Sequence, residues 1–265
     1  MSSEIARKLG LLQANGFIAT LFITPFLLWT ASLAPLVVFE LGWRRFKVGK
    51  FELHKSAYLL MVVYFAMGQI FGRCFSILMQ GHKLPALVEI HFHGFPGYVG
   101  MAILTLLTID LLYYWIHRAQ HANTFLWKFH SQHHAIHEIN SYNCFHHISE
   151  HFVDVVIEVF VSMFVYGYDG LPPFIAIYMG LISQYNHSRI DYFDFGKTRL
   201  FFGDPKFHLS HHLNNQKFIG KNFGGFTAIY DVIFGTYEEP DQTAFIGPYG
   251  VDGMPNPTFF SIFKL

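Results

Sequence analysis

The amino-acid sequence predicts an all-α integral membrane protein, a helical bundle with a histidine-lined site for two metal ions at its cytosolic end. Two observations carry this prediction. The 265 residues are 52% hydrophobic, 18% aromatic and only 14% charged, whereas soluble domains carry about 25% charged residues. In addition, nine of the 17 histidines form a spaced series from residue 117 onwards, in which eight recur at helical spacings and His187 is isolated.

The first two apolar runs predict the N-terminal membrane helices. Residues 11–39 are nearly uncharged and contain Pro25 and Pro35. They form either one tilted helix or a kinked pair that only dips into the bilayer. The run is longer than the roughly 7–15 apolar residues of a signal peptide, which favours an uncleaved membrane segment. A second run covers residues 56–80.

The third and fourth runs flank the histidine-rich region. Residues 97–116 end in the aromatic sequence Tyr113-Tyr114-Trp115, typical of a membrane interface, and His117 follows almost at once. Residues 152–185 are interrupted by the sequence DGLPP at 169–173. Each half is shorter than the roughly 20 residues that cross a bilayer, which predicts a re-entrant hairpin or two short helices inside a bundle.

The distribution of Lys and Arg predicts the orientation. Basic residues concentrate between the first two runs, in residues 117–150, and after residue 187. By the positive-inside rule these segments face the cytoplasm. This arrangement requires the fourth run to enter and leave the membrane on the same side, and it places all the histidine clusters at the cytoplasmic face.

Three histidine clusters and one isolated histidine predict the metal site. On a helix, positions i, i+3 and i+4 share one face, so each cluster can direct two or three imidazoles at one point. Neutral imidazole binds Zn, Fe, Cu and Ni. Nine imidazoles exceed the four ligands of a tetrahedral zinc site, which predicts two metals, each with an open position. The predicted ligands are His117, His121, His130, His133, His134, His187, His208, His211 and His212.

Two carboxylates near these histidines are further candidates. Asp110 precedes His117 by two helical turns on the same face, and either accepts a hydrogen bond from a ligand imidazole or pairs with another helix. Asp191 lies four residues after His187. It is either a tenth ligand or a salt-bridge partner of a nearby basic residue, Arg189 or Lys197.

The motifs occur in a fixed order: HRAQH at 117–121, LWKFHSQHH at 126–134, NHS at 186–188 and PKFHLSHH at 205–212, followed by NFGG at 222–225 and DVIFGT at 231–236. Over about residues 97–240 this order resembles the fatty acid hydroxylase/sterol desaturase superfamily. A single HxxHH motif is weak, but the combination is specific.

The resemblance implies a four-helix membrane bundle capped by a cytosolic non-haem di-iron centre. Members of the superfamily hydroxylate, desaturate or oxidatively cleave lipids with O2 and two electrons. The resemblance therefore implies two iron ions and a lipid substrate, either sterol-like, fatty-acyl or an ether lipid. His147 and Glu150 match the family's His-x2-Glu element, although the usual proline after that histidine is absent. We assign both to catalysis or to the orientation of ligands.

The chemistry of C–H oxidation agrees with this ligand set. It needs a redox metal, which zinc is not, and imidazole accepts iron. The chain has no dinucleotide-binding fingerprint, CxxC or CxxCH motif. Electrons are therefore expected from a separate donor, either cytochrome b5-like or ferredoxin-like with its reductase. The formal net charge of zero argues against a nucleic-acid partner.

Two other functions stay open. A membrane zinc hydrolase is disfavoured because no HExxH motif occurs, and a metal transporter because its ligands are expected near the bilayer midplane. We predict a membrane region at residues 1–96, a catalytic domain at 97–240 and a C-terminal tail at 241–265. The predicted location is a multi-pass position in the endoplasmic reticulum of a eukaryote or the inner membrane of a bacterium.

Overall fold

The computed structural model describes residues 24–48, 87–90, 93–165, 173–192 and 194–258, together with 61, 63, 64, 66–68, 70–72, 260 and 263. The described chain is mostly α-helical, in agreement with the predicted class. The helices are α1 (Thr24–Val48), α2 (Gly94–Ala122), α3 (Thr124–His134), α4 (Glu150–Ser162), α5 (Pro173–Asn186), α6 (Pro205–His211) and α7 (Ile229–Ile233). The short elements are two 3-10 helices, Gly196–Leu200 and Gln242–Phe245, and the parallel strands β1 (Val88–Glu89) and β2 (Phe164–Val165).

Helix α2 is the one described helix that is long and apolar enough to cross a membrane. Its 29 residues rise about 44 Å at 1.5 Å per residue, more than the roughly 30 Å hydrocarbon core. It contains the third predicted run and continues through His117 and His121 to its end. The first two predicted ligands therefore belong to the same helix as the apolar residues of the third run.

Helix α1 corrects the predicted boundary of the first run. The helix continues through Pro35 and ends only at Val48. Arg45 and Lys47, which the sequence assigns to a loop, lie in its last turn. Basic residues are stabilising there because the C-terminal end of a helix carries a partial negative charge. Residues 11–23 lie outside the described residues, and so does the choice between a single helix and a hairpin.

The fourth run forms two short helices, as predicted. Helices α4 and α5 have 13 and 14 residues, about 20 Å each at 1.5 Å per residue. The predicted DGLPP break lies almost wholly in residues 166–172, outside the described part of the chain. Side chains of α2, α4, α5 and the segment after α6 meet in one hydrophobic cluster, whose buried members are Ala102, Ile109, Ile157, Val161, Ile182 and Phe226.

A second hydrophobic cluster lies beneath the histidine-rich segments. It joins residues that follow α3, residues of α6 and residues beyond position 240. The predicted C-terminal tail therefore contributes to the core through Ala244, Phe245 and Tyr249. This packing holds the segment that follows α3 against α6. The two HxxHH sequences lie at the ends of these two helices.

The start of α6 is fixed by a buried ion pair. The Asp204 side chain accepts a hydrogen bond from the backbone N–H of Phe207 at 2.8 Å, which caps the helix. The buried guanidinium of Arg199 lies 3.3 Å from Asp204 and donates a hydrogen bond to Asp194 at 2.7 Å. The last histidine cluster begins one turn after this cap, at His208. The ion pair therefore helps to fix the position of the helix that carries this cluster.

Candidate metal centre

The nine predicted histidines lie in two adjacent groups. Within each group, one ring nitrogen of every member lies within 4.8 Å of those of the others. Eight of the nine are buried, and His121 is half-buried. The five-histidine group consists of His117, His121, His130, His134 and His211. The four-histidine group consists of His133, His187, His208 and His212.

The two HxxHH sequences divide between the groups in the same way. The first and last histidines of each sequence join one group, and the middle histidine joins the other. Positions i and i+4 of a helix lie nearly in line, whereas adjacent positions are about 100° apart. His133 and His134 therefore serve different groups although they are neighbours in sequence. Each HxxHH sequence links the two groups, and two of its three imidazoles converge on one point.

The four-histidine group has the spacing of a metal site. The Nε2 atom of His187 lies 2.9 Å from that of His208, 3.0 Å from that of His133 and 3.3 Å from that of His212. The Nε2 atoms of His208 and His212 are 3.2 Å apart. Imidazole nitrogens bind zinc at about 2.0–2.1 Å, so two ligands of one ion lie roughly 2.9–3.4 Å apart. The donor set therefore fits a metal ion.

The five-histidine group is looser and contains unsatisfied nitrogens. The Nε2 atoms of His134 and His211 are 3.1 Å apart. His130 has no hydrogen bond at either ring nitrogen, and Nε2 of His121 has none. A buried polar atom without a partner costs free energy. A metal ion bound between these rings supplies the missing partner, so this donor set also fits a metal.

Burial keeps six of the imidazoles outside α2 neutral. Burial and neighbouring histidines lower the pKa of His133, His134, His208 and His212 well below the usual value. Burial lowers the pKa of His187 to about 4 and that of His211 to about 3, although a backbone hydrogen bond opposes this shift. At neutral pH these rings keep a free lone pair, which is the form that binds metals.

Backbone carbonyls fix the orientation of four imidazoles. Since a carbonyl oxygen only accepts hydrogen bonds, each Nδ1 carries the proton and the Nε2 lone pair is left for the metal. The pairs are His117 with Phe223 at 2.7 Å, His133 with Phe145 at 3.0 Å, His187 with Ser183 at 2.6 Å and His211 with Lys221 at 2.7 Å.

Glu150 and His147, the predicted orienting or catalytic pair, lie in different surroundings. An oxygen of Glu150 is 3.6 Å from Nδ1 of His130. The other oxygen accepts a hydrogen bond from Gln120 at 2.6 Å. The Nδ1 atom of His147 hydrogen-bonds to the Ser149 hydroxyl at 2.8 Å instead. Gln120 was missed in the sequence, although its place within HRAQH, three residues after His117, was an available signal.

The hypothesis of a tenth ligand at Asp191 is wrong. Asp191 accepts a hydrogen bond from the indole N–H of Trp43 at 2.6 Å and lies 3.9 Å from the ammonium of Lys47. Both partners belong to α1, so the carboxylate ties α1 to the segment after α5. The alternative prediction, a salt bridge from Asp191 to Arg189 or Lys197, is also wrong, because the basic partner of Asp191 is Lys47.

The role predicted for Asp110 also needs correction. Its carboxylate accepts hydrogen bonds from the backbone N–H groups of Gly225, Phe226 and Thr227 at 2.9–3.1 Å, and from the Thr227 hydroxyl at 2.6 Å. None of these four donors is an imidazole. Asp110 holds the last residue of NFGG and the two residues after it, whereas the contact to His117 comes from Phe223, earlier in the same motif.

A cavity of about 340 Å³ borders both groups. Its apolar wall comes from α2, α4, α5 and the segment after NFGG, through Ile109, Ile157, Ile182 and Phe226 among others. His130 of the five-histidine group and His187 and His208 of the four-histidine group also line the cavity. His146 lines it too, with its ring stacked 3.7 Å from that of His133. The cavity can therefore present an apolar chain to both groups.

Comparison with known proteins identifies the family. The model of the fatty acid hydroxylase family matches residues 102–236, half of the chain. The protein belongs to the fatty acid hydroxylase family. This membership confirms the superfamily predicted from the histidine motifs, and the match contains all nine histidines.

Several fatty acid hydroxylase relatives oxidise lipids according to their names. Human alkylglycerol monooxygenase is 29% identical over 147 residues, which cover 53% of this chain and 31% of the relative. The ornithine lipid hydroxylase OlsE of Rhizobium tropici is 26% identical over 178 residues, 64% of this chain and 52% of the relative. Protein CER1-like 1 of Arabidopsis thaliana is 26% identical over 182 residues, 63% and 28% respectively. The matched residues thus span from about a quarter to half of these relatives, and no solved structure matches the chain.

Proposed function

We propose that the chain is a membrane-bound oxygenase that hydroxylates or desaturates a lipid, using O2 and two electrons from a separate donor. The observation that carries the proposal is the pair of convergent, buried histidine groups beside an apolar cavity. The names of the relatives, monooxygenase and hydroxylase, favour hydroxylation.

The nine histidines are proposed to hold two iron ions, one in each group. Bound iron supplies the redox chemistry by which O2 attacks an unactivated C–H bond. Zinc accepts the same nitrogen ligands but has no redox chemistry. The protein's part is to keep most of the imidazoles neutral by burial, to orient four of them through backbone carbonyls and to hold the two groups side by side through the shared HxxHH sequences.

The apolar cavity wall is proposed to bind the hydrocarbon part of the lipid. Burial of alkyl groups against Ile109, Ile157 and Phe226 stabilises binding by about 0.8 kcal/mol for each CH2 group removed from water. The same wall excludes water from the reacting carbon, which lies at the histidine end. Electrons come from a cytochrome b5-like or ferredoxin-like donor, which docks on the cytoplasmic side.

An oxygenation assay tests the function. The iron-loaded protein is supplied with NAD(P)H, a reductase and either cytochrome b5 or ferredoxin, together with ether lipids, fatty-acyl lipids or sterols. Isotopically labelled O2 is expected to place one labelled oxygen in a lipid product, or to leave a new double bond. Product formation that continues without O2 and without reductant contradicts the proposal and points to a hydrolase.

The proposed topology places residues 117–150 and 189–265 on the cytoplasmic side of a multi-pass bundle, in the endoplasmic reticulum or a bacterial inner membrane. The catalytic domain is proposed to cover residues 97–240, which the family match at 102–236 supports. Support for the topology comes from α4 and α5, because each is too short to cross a bilayer.

Cysteine labelling tests this topology. Lys128 and Asn215 are both exposed, and each is replaced by cysteine in an active background without Cys74 and Cys144. Both cysteines are expected to react with a membrane-impermeant reagent from the cytoplasmic side only. Reaction from opposite sides contradicts both the hairpin and a metal centre shared between the two segments.

We expect Glu150→Gln to lower turnover about 10- to 100-fold, the usual effect of removing a group that orients a metal ligand. The amide keeps the size of the side chain but loses the negative charge beside His130. Turnover and iron content are measured together, with Glu138→Gln, a substitution at a half-exposed surface glutamate, as the control. Equal turnover of the two variants removes Glu150 from the mechanism.

A further inference from the structure

The start of the NFGG sequence lies at the two carbonyls that hold two of the predicted metal-binding histidines. The Lys221 carbonyl accepts a hydrogen bond from Nδ1 of His211, and the Phe223 carbonyl accepts one from Nδ1 of His117, each at 2.7 Å. Both imidazoles belong to the five-histidine group. The two carbonyls flank a single residue, Asn222, so the conformation of that residue sets their separation and direction.

Asn222 is held in an unusual conformation by its side chain. Its φ angle of 60° is the one positive value among the described residues other than glycine, and such a backbone persists only when its surroundings enforce it. The fully buried amide donates hydrogen bonds to the Ser210 hydroxyl at 2.8 Å and to the Glu238 carbonyl at 2.9 Å. Its oxygen accepts one from the Glu238 N–H at 2.8 Å. The side chain therefore locks the turn between the two carbonyls.

Two buried carboxylates hold the rest of the segment. Asp231 accepts hydrogen bonds from the N–H groups of Phe223 at 2.8 Å and Gly224 at 2.7 Å. Asp110 holds the following residues from α2, through the four hydrogen bonds described above. A Cβ atom at Gly224 would overlap the carbonyl of Thr227, which explains the glycine at that position. The segment 221–227 is thus anchored along its whole length.

The four-histidine group depends on other parts of the chain. His133 takes its carbonyl partner from Phe145, and His187 takes its partner from Ser183, in the last turn of α5. The Nδ1 atoms of His208 and His212 have no hydrogen-bond partner among the described residues. The two groups are therefore supported by separate parts of the structure, although the HxxHH sequences link them.

We propose that residues 221–227 form a clamp that orients His117 and His211 and thereby sets the metal affinity of the five-histidine group alone, with Asn222 and Asp231 as its positioning residues. This inference rests on the proposed function, since it requires that both groups bind a metal. Loss of the groups that orient a ligand lowers metal affinity about 10- to 100-fold. Weakening the clamp is thus expected to lower the metal affinity of the five-histidine group and to leave that of the four-histidine group unchanged, although both groups use the same two HxxHH sequences.

The test uses the full-length metal-free protein in detergent, titrated with cobalt(II) and followed by its visible absorption and by elemental analysis after dialysis. Asn222→Gly retains the positive φ angle but removes the three side-chain hydrogen bonds. Asp231→Asn is a second, nearly isosteric variant. Asn214→Gly, at an exposed asparagine, is the control for the first substitution.

The wild type and Asn214→Gly are expected to bind two cobalt ions. Asn222→Gly and Asp231→Asn are expected to bind one ion with wild-type affinity and the second about 10- to 100-fold more weakly. The ion retained by either variant is expected to disappear when His187→Ala is added. Two ions bound with wild-type affinity in both variants overturn the clamp, and so does an equal weakening of both sites. A wild type that binds no metal overturns the proposed function itself, which distinguishes the two failures.

Discussion

Replacing His133 or His134 by alanine is expected to reduce turnover by more than about 100-fold, beyond the effect of losing a group that only orients a ligand. The two substitutions are also expected to empty different sites, because His133 belongs to the four-histidine group and His134 to the five-histidine group. Each variant should retain about one metal ion. His211 and His212 are also neighbours in sequence. His211→Ala is expected to empty the five-histidine group and His212→Ala the four-histidine group.

The control for this series is His137→Ala, because His137 is exposed and belongs to neither group. Turnover and metal content are measured on protein whose helical circular dichroism matches the wild type. A folded His133→Ala or His134→Ala variant with turnover near that of wild type removes that residue from the ligand set. Loss of the same ion in both variants contradicts the assignment of adjacent histidines to separate groups.

The metal-free protein is expected to lose stability as the pH falls below about 6.5, the ordinary pKa of histidine. Burial lowers the pKa of His187 to about 4 and that of His211 to about 3 in the folded state. Between those values and 6.5 the unfolded chain binds more protons than the folded chain, so acid favours unfolding. Each such histidine changes stability by up to about 1.4 kcal/mol per pH unit, and above pH 6.5 this contribution is constant.

Thermal unfolding of the metal-free protein between pH 8 and 5 measures this effect. His187→Gln and His211→Gln remove one buried titrating group each, so their unfolding midpoints are expected to fall less steeply with acid than that of the wild type. Protons compete with metal for the same nitrogens, so the loaded protein should release metal in acid. A wild-type midpoint that stays constant or rises on acidification contradicts the neutral, buried state of these imidazoles.

The sequence predicted which histidines the fold brings together, but not how they divide into two groups. The isolated His187 was predicted from the order of the motifs, and helical spacing predicted the other eight histidines, because positions three and four residues apart share a face. Helical spacing did not show that His133 separates from His134, or His211 from His212. That division depends on how α3, α6 and the end of α2 pack together. Adjacent histidines of one helix point in different directions and so meet histidines of different segments. Helix packing of this kind is not encoded in the spacing of one segment.

Local patterns were equally limited for the supporting residues. The two short helices of the fourth run agree with the prediction, although α4 already ends at Ser162, before the DGLPP sequence that predicted the break. Asp110 and Asp191 were assigned from their positions relative to histidines on the same helix. Both instead bind distant segments, at residues 225–227 and at Trp43. NFGG was recognised as a motif, but its carbonyl contacts to His117 and His211 required the folded chain.

The metal content of the purified, folded protein tests the central claim most directly. Elemental analysis alongside a quantitative amino-acid determination is expected to find two metal ions per chain, with iron in the preparations that oxidise lipid. His212→Ala is expected to lower the count to about one, because the four-histidine group loses a ligand and the five-histidine group keeps all of its own. One ion or none in the folded wild type, or a count unchanged by His212→Ala, would contradict the two-metal centre.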